Sequence, residues 1–158
     1  MSDFTHLDET GQLRMVDVAD KAVTLRVAAA ACRVVVGPKV FPLLLAGSLP
    51  KGDVWAAARV ACIMAAKNTA QLIPLCHPLP LDAIEVEAEL AGDRVRIVSR
   101  VACEGKTGVE MEAMVAAAVG ALTVYDMVKS AGKGIQIGPV RLLEKTGGKS
   151  GTWRRSRE

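Results

Sequence analysis

Carboxylates and amines gather at the two ends of one long apolar stretch, and their spacing limits what they can do together. Glu110 and Glu112 open it, and Asp126, Lys129 and Lys133 close it. If the stretch is helical, acids at its start and amines at its end complement the backbone dipole, which accounts for four of the five without any chemistry. Asp126 is the exception. It breaks the apolar series Val119, Leu122, Val124 and Met127 at the end where a carboxylate is disfavoured, and Lys129, three residues on, can keep it ionised. Glu112 and Asp126 stand 14 positions apart, so they share nearly one helix face but lie ~21 Å apart along it. One small substrate cannot touch both from one chain. Either they serve separate sites, or the start of one helix meets the end of another across a two-fold axis between antiparallel copies.

Other groupings hold reactive side chains. Lys51-Gly52-Asp53 reads as a helix start. There, free backbone N–H groups and the dipole favour an anion, Gly52 admits a phosphate close to the backbone, and Lys51 adds a full charge. An ordinary capped helix preceded by an exposed lysine accounts for the same residues. Cys76-His77-Pro78 lies on a stretch bracketed by Pro74 and Pro78. His77 is one of two histidines, and imidazole is the usual acid or base near neutral pH. A Cys–His nucleophilic pair is disfavoured because sequence neighbours seldom point at each other. Gly105-Lys106-Thr107-Gly108 and Gly148-Lys149-Ser150 look like the end of a phosphate-binding P-loop, but the earlier glycine that motif needs is Arg100 in one and Leu143 in the other. A Walker nucleotidase is thereby excluded, although the glycines can still bring backbone close to a ligand.

A few elements must position these groups. Residues 24–36 are rich in Val and Ala, and Cys32-Arg33-Val34-Val35-Val36 suits a strand. Residues 39–46 can form a short helix between Pro38 and Gly47, against the presence of Pro42. Asp53 is a good N-cap for a helix over 53–72. Alternation over 84–90, a turn at Ala91-Gly92-Asp93 and alternation over 94–101 predict a hairpin. A long helix is expected over 109–131 and a last strand over 135–143, interrupted at Gly138-Pro139. Strand, helix, hairpin, helix, strand is the split βαβ order of an α+β, ferredoxin-like βαββαβ sandwich, an antiparallel sheet with helices packed on one face. A single domain over 1–158 is expected, with 1–20 as an extended arm and 145–158 as a flexible tail.

Composition narrows the partners. Apolar residues make up 51% of the chain but aromatics only 3%, so the core must be built of Ala, Val, Leu, Ile and Met, and the apolar surface left over favours burial against another copy. A net charge of +3 from 20 Lys and Arg against 17 Asp and Glu is too mild to argue for nucleic acid. The basic run Trp153-Arg154-Arg155-Ser156-Arg157 reads as a solvated tail. An RNA-binding sheet would need exposed aromatics, and Phe4, Phe41, Trp55, Tyr125 and Trp153 all fall outside the expected strands. Cys32, Cys62, Cys76 and Cys103 are scattered without metal-ligand spacing, as reduced cytosolic thiols would be. No signal peptide opens the chain, and the apolar run 113–125 is shorter than the ~20 residues that span a bilayer. A cytoplasmic protein with no membrane partner is expected.

Six stretches together carry a resemblance over nearly the whole chain. They are Met15-Val16-Asp17-Val18, Lys51-Gly52-Asp53-Val54, Leu72-Ile73-Pro74-Leu75-Cys76-His77-Pro78, Lys106-Thr107-Gly108-Val109-Glu110-Met111-Glu112-Ala113, Ala121-Leu122-Thr123-Val124-Tyr125-Asp126-Met127 and Ile137-Gly138-Pro139-Val140. In this order they resemble the MoaC family of cyclic pyranopterin monophosphate synthases. The resemblance implies a ferredoxin-like subunit in a homohexamer, a trimer of dimers with its sites at the dimer interface. It implies conversion of 3′,8-cyclo-7,8-dihydro-GTP to cyclic pyranopterin monophosphate and pyrophosphate, an early step of molybdenum-cofactor biosynthesis, without a metal or other cofactor. It further implies Asp126 as the catalytic acid–base group, with Lys51 and Lys129 also catalytic. Leu75, Cys76, His77, Met111 and Glu112 would contact substrate, and Asp17, Arg26, Lys67, Glu110 and Lys145 would lie near the site. A non-catalytic assembly protein of the same fold is the rival reading, and it leaves the Lys51, His77, Glu112 and Asp126 constellation unexplained.

Overall fold

The computed structural model describes residues 10–156. In chain order the elements are β1 (Thr24–Val35), α1 (Gly37–Leu45), α2 (Val54–Lys67), α3 (Thr69–Leu72), β2 (Ala83–Ala91), β3 (Arg94–Gly105), α4 (Glu110–Val128), β4 (Gln136–Ile137), β5 (Arg141–Thr146) and β6 (Trp153–Arg154). The sheet runs β2-β3-β1-β5-β6 with β4 also on β1, and every pairing is antiparallel. With α2 and α4 on one face, this is the expected ferredoxin-like α+β arrangement.

Small side chains set the packing. β1 turns Ala28, Ala30, Cys32 and Val34 inward, and α4 meets the sheet with Ala113, Ala116, Ala117 and Ala121, all fully buried. α2 lies so close to α4 that a Cβ on Gly120 would run into the Sγ of Cys62. By length and composition α4 could cross a membrane. Its apolar residues serve instead as a core helix, buried against β1, β3 and α2. The Ser99 hydroxyl, itself buried, donates to the Ala113 carbonyl at 2.6 Å and fixes the start of α4 over β3. On the open face of the sheet, Glu85 and Glu89 of β2 oppose Arg100 and Arg96 of β3.

Several boundaries differ from expectation. The helix expected over 53–72 breaks at Asn68, whose side-chain amide donates to the Met64 carbonyl at 2.7 Å and so competes with the helical ladder. The short helix begins at Gly37, and Pro42 sits inside it. The last strand is interrupted at Gly138-Pro139 as expected, but its second part runs on to Thr146. The Gly138 N–H makes a final rung to the Arg33 carbonyl at 2.9 Å, and Pro139, without an N–H, cannot extend the ladder. The tail expected over 145–158 is in part sheet. Lys145 and Thr146 finish β5, and Trp153 and Arg154 pair with Lys145 and Glu144 as β6. Trp153 is therefore on a strand after all, at the sheet edge with Arg155 stacked 5.7 Å from its ring. Of the extended arm, residues 1–9 lie outside the described part.

Candidate active site

The loop after α3 and the first turn of α4 form one wall-to-wall cavity of about 530 Å³. Leu75, Cys76 and His77 come from the loop, and Glu110, Met111 and Glu112 from the helix. Cys76 N–H donates to the Ile73 carbonyl at 3.1 Å, which turns the chain between the two prolines. Val16, Val18 and Lys21 of the N-terminal arm close the opposite side. The Asp17 carboxylate faces its own backbone, accepting the Ala19 N–H at 2.8 Å.

Glu112 is 4% exposed. Burial raises its carboxyl above the ordinary value, and the charge of Glu110 adds to the effect. Burial also raises the Cys76 thiol, and the Glu112 charge adds to that. Cys76 lines the cavity, and the raised thiol disfavours the thiolate, the reactive form. Among the described residues no hydrogen bond joins it to His77, as the disfavoured dyad required.

A second cavity, of about 380 Å³, adjoins the first and shares Lys21, Thr107, Gly108 and Glu110 with it. Arg26, Lys106, Lys145 and Lys149 add four cations to its wall, with the hydroxyl residues Thr146 and Ser150. Lys145 pairs with Glu110 at 3.0 Å. The Arg26 guanidinium donates to the carbonyls of Gly105 and Lys106 at 3.3 and 3.4 Å. Lys106 reaches the Ala19 carbonyl at 2.6 Å and ties the arm to the turn before α4. Lys67 ends α2, exposed, and lines neither cavity.

Asp126, Lys51 and Lys129 lie together at the far end of α4. The Asp126 carboxylate accepts from Lys129 at 2.7 Å and from Lys51 at 2.8 Å, and the Lys51 ammonium also donates to the Asp126 carbonyl at 2.8 Å. Lys129 first and Lys51 second hold the carboxyl down to about 2, and the same pairing raises Lys129. The helix start before them is an ordinary cap. Asp53 accepts the N–H groups of Trp55 and Ala56 at 2.9 and 3.0 Å, which takes the donors an anion would need.

The site residues expected from the sequence therefore form two groups, near opposite ends of α4 and separated along it by the ~21 Å between Glu112 and Asp126. Leu75, Cys76, His77, Met111 and Glu112 converge with Glu110, and Arg26 and Lys145 stand next door. Lys51, Asp126 and Lys129 converge elsewhere. Lys21 and Lys106 also line these cavities, beyond the residues the sequence points to. The Gly105-Lys106-Thr107-Gly108 turn was the available signal for Lys106, while the isolated Lys21 carried none.

Comparison with known proteins gives the family. The model of the MoaC family matches residues 15–148. A cyclic pyranopterin monophosphate synthase of Thermomicrobium roseum is 55% identical over 157 residues, covering 98% of this chain and 95% of its own. That of Herpetosiphon aurantiacus is 58% identical over 149 residues, covering 93% and 91%. That of Chloroflexus aurantiacus is 52% identical over 158 residues, covering 99% and 97%. With a family model spanning most of its length and relatives above half identity end to end, this chain belongs to the MoaC family.

Proposed function

We propose that this chain is a cyclic pyranopterin monophosphate synthase, converting 3′,8-cyclo-7,8-dihydro-GTP to cyclic pyranopterin monophosphate and pyrophosphate in molybdenum-cofactor biosynthesis. The observation that carries the reading is the buried Glu112, its carboxyl raised by burial, lining with His77 a cavity that adjoins a lysine-lined one. Such a pair of compartments suits a substrate with a heterocycle at one end and phosphates at the other. Opening the purine-derived five-membered ring needs protons delivered to nitrogen and a water activated, which Glu112 and His77 can serve. Leu75, Cys76 and Met111 shape the wall for the ring system. Closing the cyclic phosphate needs a sugar hydroxyl to attack the α-phosphate while cations stabilise the departing pyrophosphate. Arg26, Lys145 and Glu110 hold the cation-rich wall, while Asp17 and Lys67, which line neither cavity, are assigned near the site by the family resemblance alone.

Asp126, Lys51 and Lys129 enter the same site from a second copy. As paired here, Asp126 is a weak base, so its acid–base role requires substrate to displace one of the lysines. The assembly we propose is a homohexamer, a trimer of dimers with the sites at the dimer interface, in the cytoplasm and with no nucleic-acid or membrane partner. Its support is twofold. The two site groups are near opposite ends of α4, and the helix layer leaves Val60, Met64 and Leu122 more than half exposed with Tyr125 beside them at 39%. Apolar surface of that kind is what a neighbouring copy covers. The test is to supply the purified protein with the cyclised dihydro-GTP. Pyrophosphate and the cyclic product are expected together, and absence of both would return the chain to a non-catalytic assembly role.

A further inference from the structure

We propose that the C-terminal turn completes the outer wall of the second cavity through Lys149 and Ser150, and that Lys149 is a further binding contact for the phosphate chain seated there. The inference rests on the synthase reading for the identity of the ligand, but its physical basis is separate. Around about 380 Å³ stand Lys21, Arg26, Lys106, Lys145 and Lys149 against the single carboxylate of Glu110. Three of these cations are engaged: Lys145 by Glu110, Lys106 by the Ala19 carbonyl, and Arg26 by two backbone carbonyls. The ammonium groups of Lys21 and Lys149 have no hydrogen-bond or ion-pair partner among the described residues. Like charges facing one concavity repel one another and raise the local concentration of anions, and a polyanion entering relieves that repulsion.

Lys149 is not carried by a free tail. Gly147 and Gly148 have φ of 98° and 70°, which side-chain-bearing residues rarely adopt. A Cβ on Gly147 would strike the Leu25 carbonyl, and one on Gly148 would strike the Arg26 guanidinium. The Gly151 N–H closes the turn on the Gly148 carbonyl at 3.2 Å, and β6 then pairs with β5. The turn is therefore built around Arg26, and it presents Lys149 and the Ser150 hydroxyl to the cavity. Because this cavity shares Lys21, Thr107, Gly108 and Glu110 with the one holding His77 and Glu112, an extended ligand can reach both. The family match stops at residue 148, so Lys149 and Ser150 add to the site from outside the matched region.

The experiment uses inorganic pyrophosphate as the probe, titrated calorimetrically into the intact protein, alongside steady-state kinetics on the cyclised nucleotide. Lys149→Gln should weaken pyrophosphate binding and raise KM about fivefold, the factor one exposed cation contact brings, with kcat within about twofold. Lys149→Arg should restore both. Arg94→Gln, at the tip of the β2–β3 hairpin, should change neither. Pyrophosphate binding in Lys149→Gln equal to that of the unaltered protein, or no binding of pyrophosphate by either, overturns the assignment. Lys149-dependent pyrophosphate binding in a protein that fails to convert the nucleotide keeps the anion seat and removes the synthase reading.

Discussion

Glu112 and Asp126 are carboxylates whose surroundings push their pKa in opposite directions. Burial favours the protonated form of Glu112, and two ammonium groups favour the ionised form of Asp126. For Glu112 the folded-state pKa is raised, so its contribution to stability is full below the unfolded value and is lost as pH rises through the folded one. Glu112→Gln keeps the shape and removes the ionisation. Thermal melts between about pH 4 and pH 8 should show the variant gaining on the unaltered protein as pH rises, with no difference at the acid end. A variant that loses stability at high pH would mean that the ionised form is held by a favourable partner. Its turnover should fall about a hundredfold or more, the usual contribution of a general acid or base. Asp126→Asn should abolish turnover while leaving the oligomer unchanged by size-exclusion chromatography. Near-normal activity would remove Asp126 from the mechanism. At this scale the sequence revealed one half of the Asp126 environment and not the other. Lys129 lies three residues away on the same helix, whereas Lys51 arrives across 75 residues of chain, which only the antiparallel packing of α2 on α4 brings about.

α2 and α4 depend on small residues where they cross. Gly120→Ala improves helix propensity by up to about 1 kcal/mol, but the added methyl meets the Sγ of Cys62, which is fully buried and cannot move aside. Overpacking of this sort costs about 1–3 kcal/mol and should win. Urea denaturation is expected to show Gly120→Ala less stable. The double variant with Cys62→Ala should be more stable than the sum of the two single effects predicts, because the clash is gone. Additive effects would place the strain elsewhere. Elements with a local pattern were legible in advance. The β2–β3 hairpin follows from alternation, the start of α2 from Asp53, and the long core helix from its apolar run. Elements that depend on a distant partner were not. β6 is two residues long and exists through Lys145 and Glu144. The bulge between Ala29 and Ala30 arises in β1 pairing with β5, inside a run of alanines that carries no alternation to fix a register. The first cavity was legible in its loop and helix walls, while its arm wall was not, since Val16, Val18 and Lys21 are placed by the Lys106 contact rather than by an element of their own.

For the whole molecule, the decisive geometry is that one chain holds two partial sites near opposite ends of one helix. Neither is complete for the proposed chemistry: the first has the heterocycle cavity and Glu112, and the second has the paired Asp126, Lys51 and Lys129. In the proposed assembly, a two-fold axis between antiparallel copies would join the first group of one chain to the second group of its partner, twice per dimer. This makes a prediction that no single-chain site shares. Glu112→Gln and Asp126→Asn, each nearly inactive alone, are unfolded together in equal amounts, refolded and assayed. A shared site draws Glu112 from one chain and Asp126 from another, so random pairing gives about a quarter of all sites both intact groups. About a quarter of the unaltered rate should therefore return on mixing. The same two variants refolded separately and then combined should recover activity only as fast as subunits exchange, which light scattering of the assembly can follow. If each site lies within one chain, mixing restores nothing at any ratio, and the exposed apolar residues of α2 and α4 would have to be covered for some reason other than catalysis.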